Sequence, residues 1–302
     1  MNKVVLSPSE TQAITLACGK AKCTLTALVN SIMILADVER ALSTLYADAK
    51  MQDSRSQSQP SQTLSTLVEE NWHKSEVWLV PANPVDMRRF VWPQAQVLHG
   101  PTTTSGGLVN LLVQSYHSMD VIRKCISFEG GKIHRSWYDN PTFFWDHMVK
   151  DTQVILKACG KQLPHAYHQS VVMSETLVST LDNSAAASLP NIPGIVSSSL
   201  GNLERLGVYI DFSPLAQKSK VGTDAEPPFL IQNVGYSGRG HHSPITVGIV
   251  SEYNSHLVLT FMASKNNQTV EGWASFDQAV RDGFKQIIQG VLAKEATKAV
   301  KL

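Results

Sequence analysis

Charge is scarce in this chain of 302 residues: Asp, Glu, Lys and Arg make up 17% of it, 26 basic against 25 acidic, for a net charge of +1. That balance excludes a general electrostatic grip on nucleic acid or an anionic membrane, which needs a clustered excess of positive charge. Cysteine is scarce as well. The four present, Cys18, Cys23, Cys125 and Cys159, form no C-x-x-C pair. They are too few for a disulfide scaffold and wrongly spaced for structural zinc, so buried thiols in a reducing compartment are expected. Long apolar runs are missing too. The longest, Ala27 to Ala36, is broken by Asn30 and Ser31 and falls far short of the roughly 20 residues a membrane span requires. Met1-Asn2-Lys3 leads through Val4-Val5-Leu6 into polar Ser7-Pro8-Ser9-Glu10, which does not read as a signal peptide. A cytoplasmic protein without a membrane partner is expected. Gly235 and Gly238 form no G-x-G-x-x-G opening a helix, and no G-x-S-x-G occurs, so neither a dinucleotide loop nor a nucleophile elbow is indicated.

Apolar residues reach 43%, enough for a sizeable core, and disorder of the whole chain is excluded. Ser7, Pro8 and Glu10 form a capping box, predicting a helix to about Ala17 with Gly19 ending it. Thr24 starts a second, in which Leu25, Leu28, Val29, Ile32, Leu35 and Ala36 recur at helical spacing through Val38, Leu42 and Leu45. Its broad apolar stripe predicts packing against a sheet. Glu76 to Pro81 is a strand candidate, and Val85 to Val91 a short extended element. Residues 108–124 read as a helix with Leu108, Leu111, Leu112, Tyr116 and Met119 on one side. Asp139-Asn140-Pro141-Thr142 caps a helix from Phe143 to Cys159, ending at Gly160. A further helix is expected from His165 to Leu181, then a small-residue linker from Asn183 to Leu189. Strands are expected at Ile195–Leu200, Leu206–Phe212, Phe229–Val234, Ile245–Val250 and Leu257–Met262, the last two joined by a hairpin at Glu252-Tyr253-Asn254-Ser255. A helix from Ser275 to Ala293 closes the chain. Helices and strands alternate, so the fold class is α/β, a layered mixed sheet flanked by helices in one unit over 1–302, with loops at about 50–65, 183–190 and 213–228.

Three segments carry a resemblance. They are Ser9-Glu10-Thr11-Gln12 through Cys23-Thr24-Leu25-Thr26-Ala27-Leu28, then Val80 to Phe90 (VPANPVDMRRF), then Val196 to Leu203 (VSSSLGNL) followed by ITVGIVSEYNSHLVLTF. In this order they resemble the C-terminal subdomain of the chloramphenicol-acetyltransferase-like acyltransferases, which include condensation domains and fungal trichothecene- or alcohol-type O-acetyltransferases. The resemblance implies acyl transfer, an acetyl group most naturally, from an acyl-CoA co-substrate to a hydroxyl of a small secondary metabolite, with no bound cofactor. It also implies that the chain begins at the second subdomain, so a partner chain, an upstream segment or a homo-oligomer is expected. The family's base is the second His of H-H-x-x-x-D-G, and no such motif occurs here. The alternative is a non-catalytic binding module, or a repurposed pocket, derived from that fold.

Each candidate residue has a plainer reading beside it. His147 and Asp151 fit H-x-x-x-D and lie four apart, so on a helix they could pair, as a base and its orienting group or as a solvated surface pair. The resemblance places its structural Arg on Arg88, with Arg89 the neighbouring choice; an ordinary surface Arg is the plain reading. It puts Ser197, Ser199 and Asn202 on the border of a substrate channel, where Ser197 and Ser199 share one strand face. His241 and His242 sit in a glycine-rich loop at the channel mouth or in a simple flexible loop. His165 and His168, three apart, lack further ligands at metal spacing, and no metal site is expected. Trp137, Tyr138, Phe143, Phe144 and Trp145 read as core.

Overall fold

Ser7 starts the first helix through the reciprocal contacts its spacing predicts: its N–H donates to Glu10 Oε2 at 2.8 Å, and the Glu10 N–H donates to Ser7 Oγ at 3.4 Å. The computed structural model describes residues 1–55, 63–86, 110–161, 194–215, 229–236, 245–265 and 268–299. The expected helix from His165, the linker from Asn183, and the loop residues 183–190 and 216–228 lie outside them, as do 87–91. The chain divides into two compact units. The first comprises Met1–Gln12, Pro81–Gln114 and Lys157–Ala263; the second comprises Ala13–Val80, Ser115–Leu156 and Ser264–Leu302.

The first unit holds a four-stranded mixed sheet in the order β1-β8-β7-β6. Strand β6 (Gly194–Asn202) runs parallel to β7 (Ile245–Tyr253), with Ser197 opposite Gly248. Strand β8 (His256–Met262) turns back antiparallel, through a hairpin in which Asn254 and Ser255 take φ 49° and 60°. Two successive left-handed residues match the right-handed twist of the paired strands. Strand β1 (Asn2–Leu6), formed by the short apolar run before Ser7, pairs antiparallel with β8, Leu6 opposite Leu257. The buried Thr11 hydroxyl extends that ladder: it accepts from the Leu257 N–H at 3.0 Å and donates to Leu6 O at 3.5 Å. Two expected strands are not strands. Between Leu206 and Phe212 the left-handed Gly207 and Tyr209 (φ 76° and 54°) break the extended backbone, and a 3-10 turn follows at Ile210–Phe212. Residues 229–234 join no ladder; Ile231 donates one backbone bond to Phe212 and Phe229 stacks on the Phe212 ring at 4.7 Å.

Helix α1 (Pro8–Ala21) continues past Gly19, where an end was expected. It closes in a Schellman motif: the Cys23 N–H donates to Cys18 O at 3.0 Å, the Lys22 N–H to Gly19 O at 3.2 Å, and Lys22 takes φ 54°. The motif brings the Cys18 and Cys23 thiols into hydrogen bonding. That bond, with burial, raises Cys18, and it lowers Cys23, which is half-buried rather than buried as expected.

In the second unit α2 (Leu25–Arg55) is capped by Thr24, whose Oγ1 accepts from the Ala27 N–H at 3.1 Å. It includes residues 50–55, expected to open a loop. Helix α3 (Leu64–Lys74) follows, with Asp53 accepting from the Leu64 and Ser65 N–H groups at 2.8 and 3.0 Å. Within this unit α2 packs against α3 and the closing helix, and it also touches the hairpin that follows β3. Strand β2 (Val77–Asp86) pairs with β3 (Asn110–Ser118), and α4 (Met119–Cys125) begins at Ser118. Residues 110–124 are therefore not one helix, and the first two residues of the expected helix, 108 and 109, lie outside the described residues. Val113, Ser115 and His117 are buried while Gln114 and Tyr116 are exposed, an alternation of period two. Hairpin β4 (Ser127–Glu129) and β5 (Lys132–His134) turns through Gly130 and Gly131 at φ 57° and 75°. Phe128 of β4 meets the edges of Tyr46 and Trp72, at 5.6 and 6.3 Å between centroids.

Helix α5 (Ser136–Asp139) and α6 (Pro141–Phe143), the latter capped by Asn140, lead into a π-helical stretch, Phe144–Val149. Helix α7 (Lys150–Lys161) continues through Gly160, the expected end. The closing helix α8 (Val270–Ala299) starts earlier and ends later than expected, and buries the predicted Phe276, Val280, Phe284, Ile287, Ile288 and Val291. Among the described residues no single helix is long and apolar enough to cross a membrane.

Candidate functional site

Strand β3 carries the polar residues from which a site can be built. Ser115 and His117 alternate with exposed neighbours, so both point to the buried face; they are 4% and 2% exposed. Ser115 Oγ lies 3.4 Å from His117 Nε2. On the other side of the ring, Asp151 Oδ2 stands 3.7 Å from His117 Nδ1. That separation exceeds a hydrogen bond, and both Nδ1 and Oδ2 are buried without a hydrogen-bond partner. The attraction is one of charge whenever the ring is protonated.

Asp151 is held there by its neighbours. Thr152 Oγ1 is 3.0 Å from Ser31 Oγ in α2, both fully buried. Gln153 accepts from the Thr24 N–H at 2.7 Å and donates to Lys22 O at 3.3 Å. The first turn of α7 is thereby tied to the junction of α1 and α2, which aims the carboxylate at β3. Strand β3 ends just beyond, where Ser118 Oγ caps α4 by accepting from the Asp120 N–H at 3.2 Å. The result is an imidazole with a hydroxyl near one ring nitrogen and a carboxylate near the other, all in the second unit.

His147, the base suggested by spacing, does not meet Asp151. The π-helical stretch adds a residue to its turn, so the four-residue spacing no longer stacks the two side chains. The His147 ring lies beside Phe143 at 6.2 Å between centroids, and Asp151 turns to His117 instead. Lys150 pairs with Asp146 at 2.5 Å on the outer side. Ser197 is buried in β6, and Ser199 lies at a bulge beside the left-handed Gly201. Asn202 is engaged locally: it accepts from the Arg205 N–H at 2.9 Å and donates to Glu252 Oε1 at 2.9 Å. These three belong to the first unit. Arg88, His165, His168, His241 and His242 lie outside the described residues.

A second polar cluster has no counterpart in the sequence reading. Arg135, between β5 and α5, donates from Nε and Nη2 to both oxygens of Glu39 at 2.8–3.0 Å and from Nη1 to Asp282 at 3.1 Å. It joins α2 and α8 to the hairpin. Burial raises Glu39, against the lowering effect of Arg135, and burial pushes Tyr138 up to about 12. The open cleft beside it, of about 520 Å³, is lined by Glu39, Ser43, His134, Arg135 and Tyr138. With its guanidinium already forked between two carboxylates, Arg135 serves as a structural clamp. Among the described residues no group of three His, Cys, Asp or Glu is arranged to hold a metal ion.

Neither Ser115 nor His117 stood out in the sequence. Read as a helix, residues two apart face different directions; only in a strand do they share a side. The usable signal was the alternation V-x-S-x-H over 113–117, masked because its buried face is polar.

No model of a known protein family matches the sequence, and no curated protein matches it significantly. Solved structures do match. Trichothecene 15-O-acetyltransferase from Fusarium sporotrichioides aligns over 95% of this chain and 46% of its own, at 11% identity and a TM-score of 0.58. The epimerization domain of the third module of tyrocidine synthetase B aligns over 97% and 48%, at 14% identity and 0.47. The PapA2 acyl transferase aligns over 95% and 44%, at 10% identity and 0.42. The chain spans about half the length of each of these structures. The alignment with the trichothecene acetyltransferase shows a shared fold, a mixed sheet flanked by helices.

Proposed function

We propose that this chain takes part in acyl transfer from an acyl-CoA to the hydroxyl of a small molecule, with His117 as the proton acceptor. The observation that carries this is His117 set between a carboxylate and a hydroxyl, 3.7 and 3.4 Å from its two ring nitrogens. The shared fold supports it, since the trichothecene neighbour is an O-acetyltransferase. In the proposed step Nε2 takes the hydroxyl proton as the oxygen attacks the thioester carbonyl. Asp151, facing Nδ1 at 3.7 Å, balances the positive charge that forms on the ring. Asp151 thus acts through His117. Because the chain spans about half of its structural neighbours and holds no H-H-x-x-x-D-G, we also propose that a second polypeptide segment, a partner chain or another copy completes the substrate channel.

The test is release of free CoA thiol from acetyl-CoA by the purified chain, offered a panel of small alcohols. His117→Ala is expected to lower turnover by about 10²–10⁴-fold. Asp151→Asn is expected to lower kcat with KM unchanged and to shift the pH profile of kcat. Turnover by His117→Ala equal to that of the parent would remove the proposal. The burial of His117, 2% exposed, favours a second reading, a binding module in which this histidine is structural. Its signature is a less stable His117→Ala protein with no thiol release to lose.

A further inference from the structure

We infer that Ser115 carries the acyl group covalently between donor and acceptor. This rests on His117 acting as the base, and adds a step that the fold does not require. Ser115 and His117 stand two apart on one face of β3, which puts Oγ beside Nε2, the ring nitrogen turned away from Asp151. The order carboxylate, imidazole, hydroxyl is the one that activates a serine: the base takes the hydroxyl proton while the nearby carboxylate balances the charge the ring gains. A separation of 3.4 Å in the absence of substrate is within the range that tightens when a reacting carbonyl arrives.

The chemistry balances without any further reactant. Nε2 accepts the Ser115 proton as Oγ bonds to the thioester carbonyl carbon. The C–S bond then breaks, and the imidazolium proton passes to the departing sulfur to leave free CoA thiol and an acyl ester on Ser115. In the second half an acceptor hydroxyl gives its proton to Nε2 and its oxygen attacks the ester. The bond from carbon to Oγ breaks and the proton returns to Oγ. Water in place of the acceptor yields the free acid.

The experiment uses the whole chain with two probes. The first is acetyl-CoA without acceptor, followed by rapid quenching, intact-mass measurement and peptide mapping. The second is a fluorophosphonate, which labels activated serines and needs no variant that might misfold. An acetyl ester and a phosphonyl label on the Ser115 peptide, both lost in His117→Ala, are the expected result, with Ser115→Ala releasing no thiol on donor alone. Label or ester on another residue overturns the inference. So does multiple turnover by Ser115→Ala at the parent rate, which leaves His117 as a base for direct attack. Parent-like turnover by His117→Ala, or neither turnover nor adduct with the parent chain, overturns this inference and the proposed function together.

Discussion

Asp37 and Arg40 lie one turn apart on α2, inside the second unit, with side chains 1% and 11% exposed. Asp37 Oδ1 accepts from both Arg40 Nε and Nη2, at 3.2 and 2.6 Å, while Arg40 Nη1 reaches Gln268 at 2.9 Å. Burial raises Asp37 against the opposing pull of Arg40. Removing one partner strands the other charge away from water, which costs more than the pair contributes. Asp37→Ala is therefore expected to destabilise the fold by about 3–5 kcal/mol, read from urea unfolding. Asp37→Ala combined with Arg40→Met should recover much of that loss; a double variant as unstable as the single one would contradict the argument. At this scale the sequence was informative about caps. Ser7, Thr24 and Asn140 each accept the N–H that their position predicts, because capping involves residues only two or three apart. It misled about His147 and Asp151, because their separation depends on whether the helix winds with a four- or five-residue turn.

At the scale of elements, two glycine-type positions test the backbone account. Lys22 occupies the left-handed position that ends α1, exposed and without need of its side chain. Lys22→Gly should stabilise the protein by roughly 0.5–1 kcal/mol, as the Cβ strain disappears at a small entropic cost. Gly131 is the opposite case. It has φ 75°, and a Cβ there would run into the Tyr46 ring. Gly131→Ala should therefore lower the thermal midpoint while Lys22→Gly raises it, in one calorimetric series. Reversal of either sign would refute the backbone account. Helices with a strong apolar stripe were legible: α8 buries the predicted residues and α2 buries those from Leu28 to Leu42, while Leu25 is half-buried and Leu45 exposed. Strand β3 was not legible, because the pattern that marks a half-buried strand is normally apolar against polar, and here Ser115 and His117 occupy the buried side. The strands expected at Leu206 and Phe229 failed for a related reason. An apolar run supplies propensity, and pairing needs a neighbour in register.

For the whole molecule, near-equal numbers of acidic and basic residues put the isoelectric point at about 7.7. Repulsion between copies is weakest there. Solubility, measured as turbidity of concentrated samples across a pH series, is expected to be lowest near that value and to rise on both sides. A flat profile would show that the surface charge is more asymmetric than the totals suggest.

What the sequence determined by itself was local or summed: helix starts, the apolar faces of α2 and α8, the hairpin at Asn254 and the α/β class. These follow from residues within a few positions of one another, or from composition, and so can be read without a third dimension. The tertiary structure alone decided that β1 pairs with β8, that Arg135 clamps two carboxylates 96 residues before it and 147 after it in the chain, and that Asp151 faces His117 rather than His147. Such pairings join residues far apart in sequence, and their geometry is set by packing, to which one-dimensional periodicity is blind.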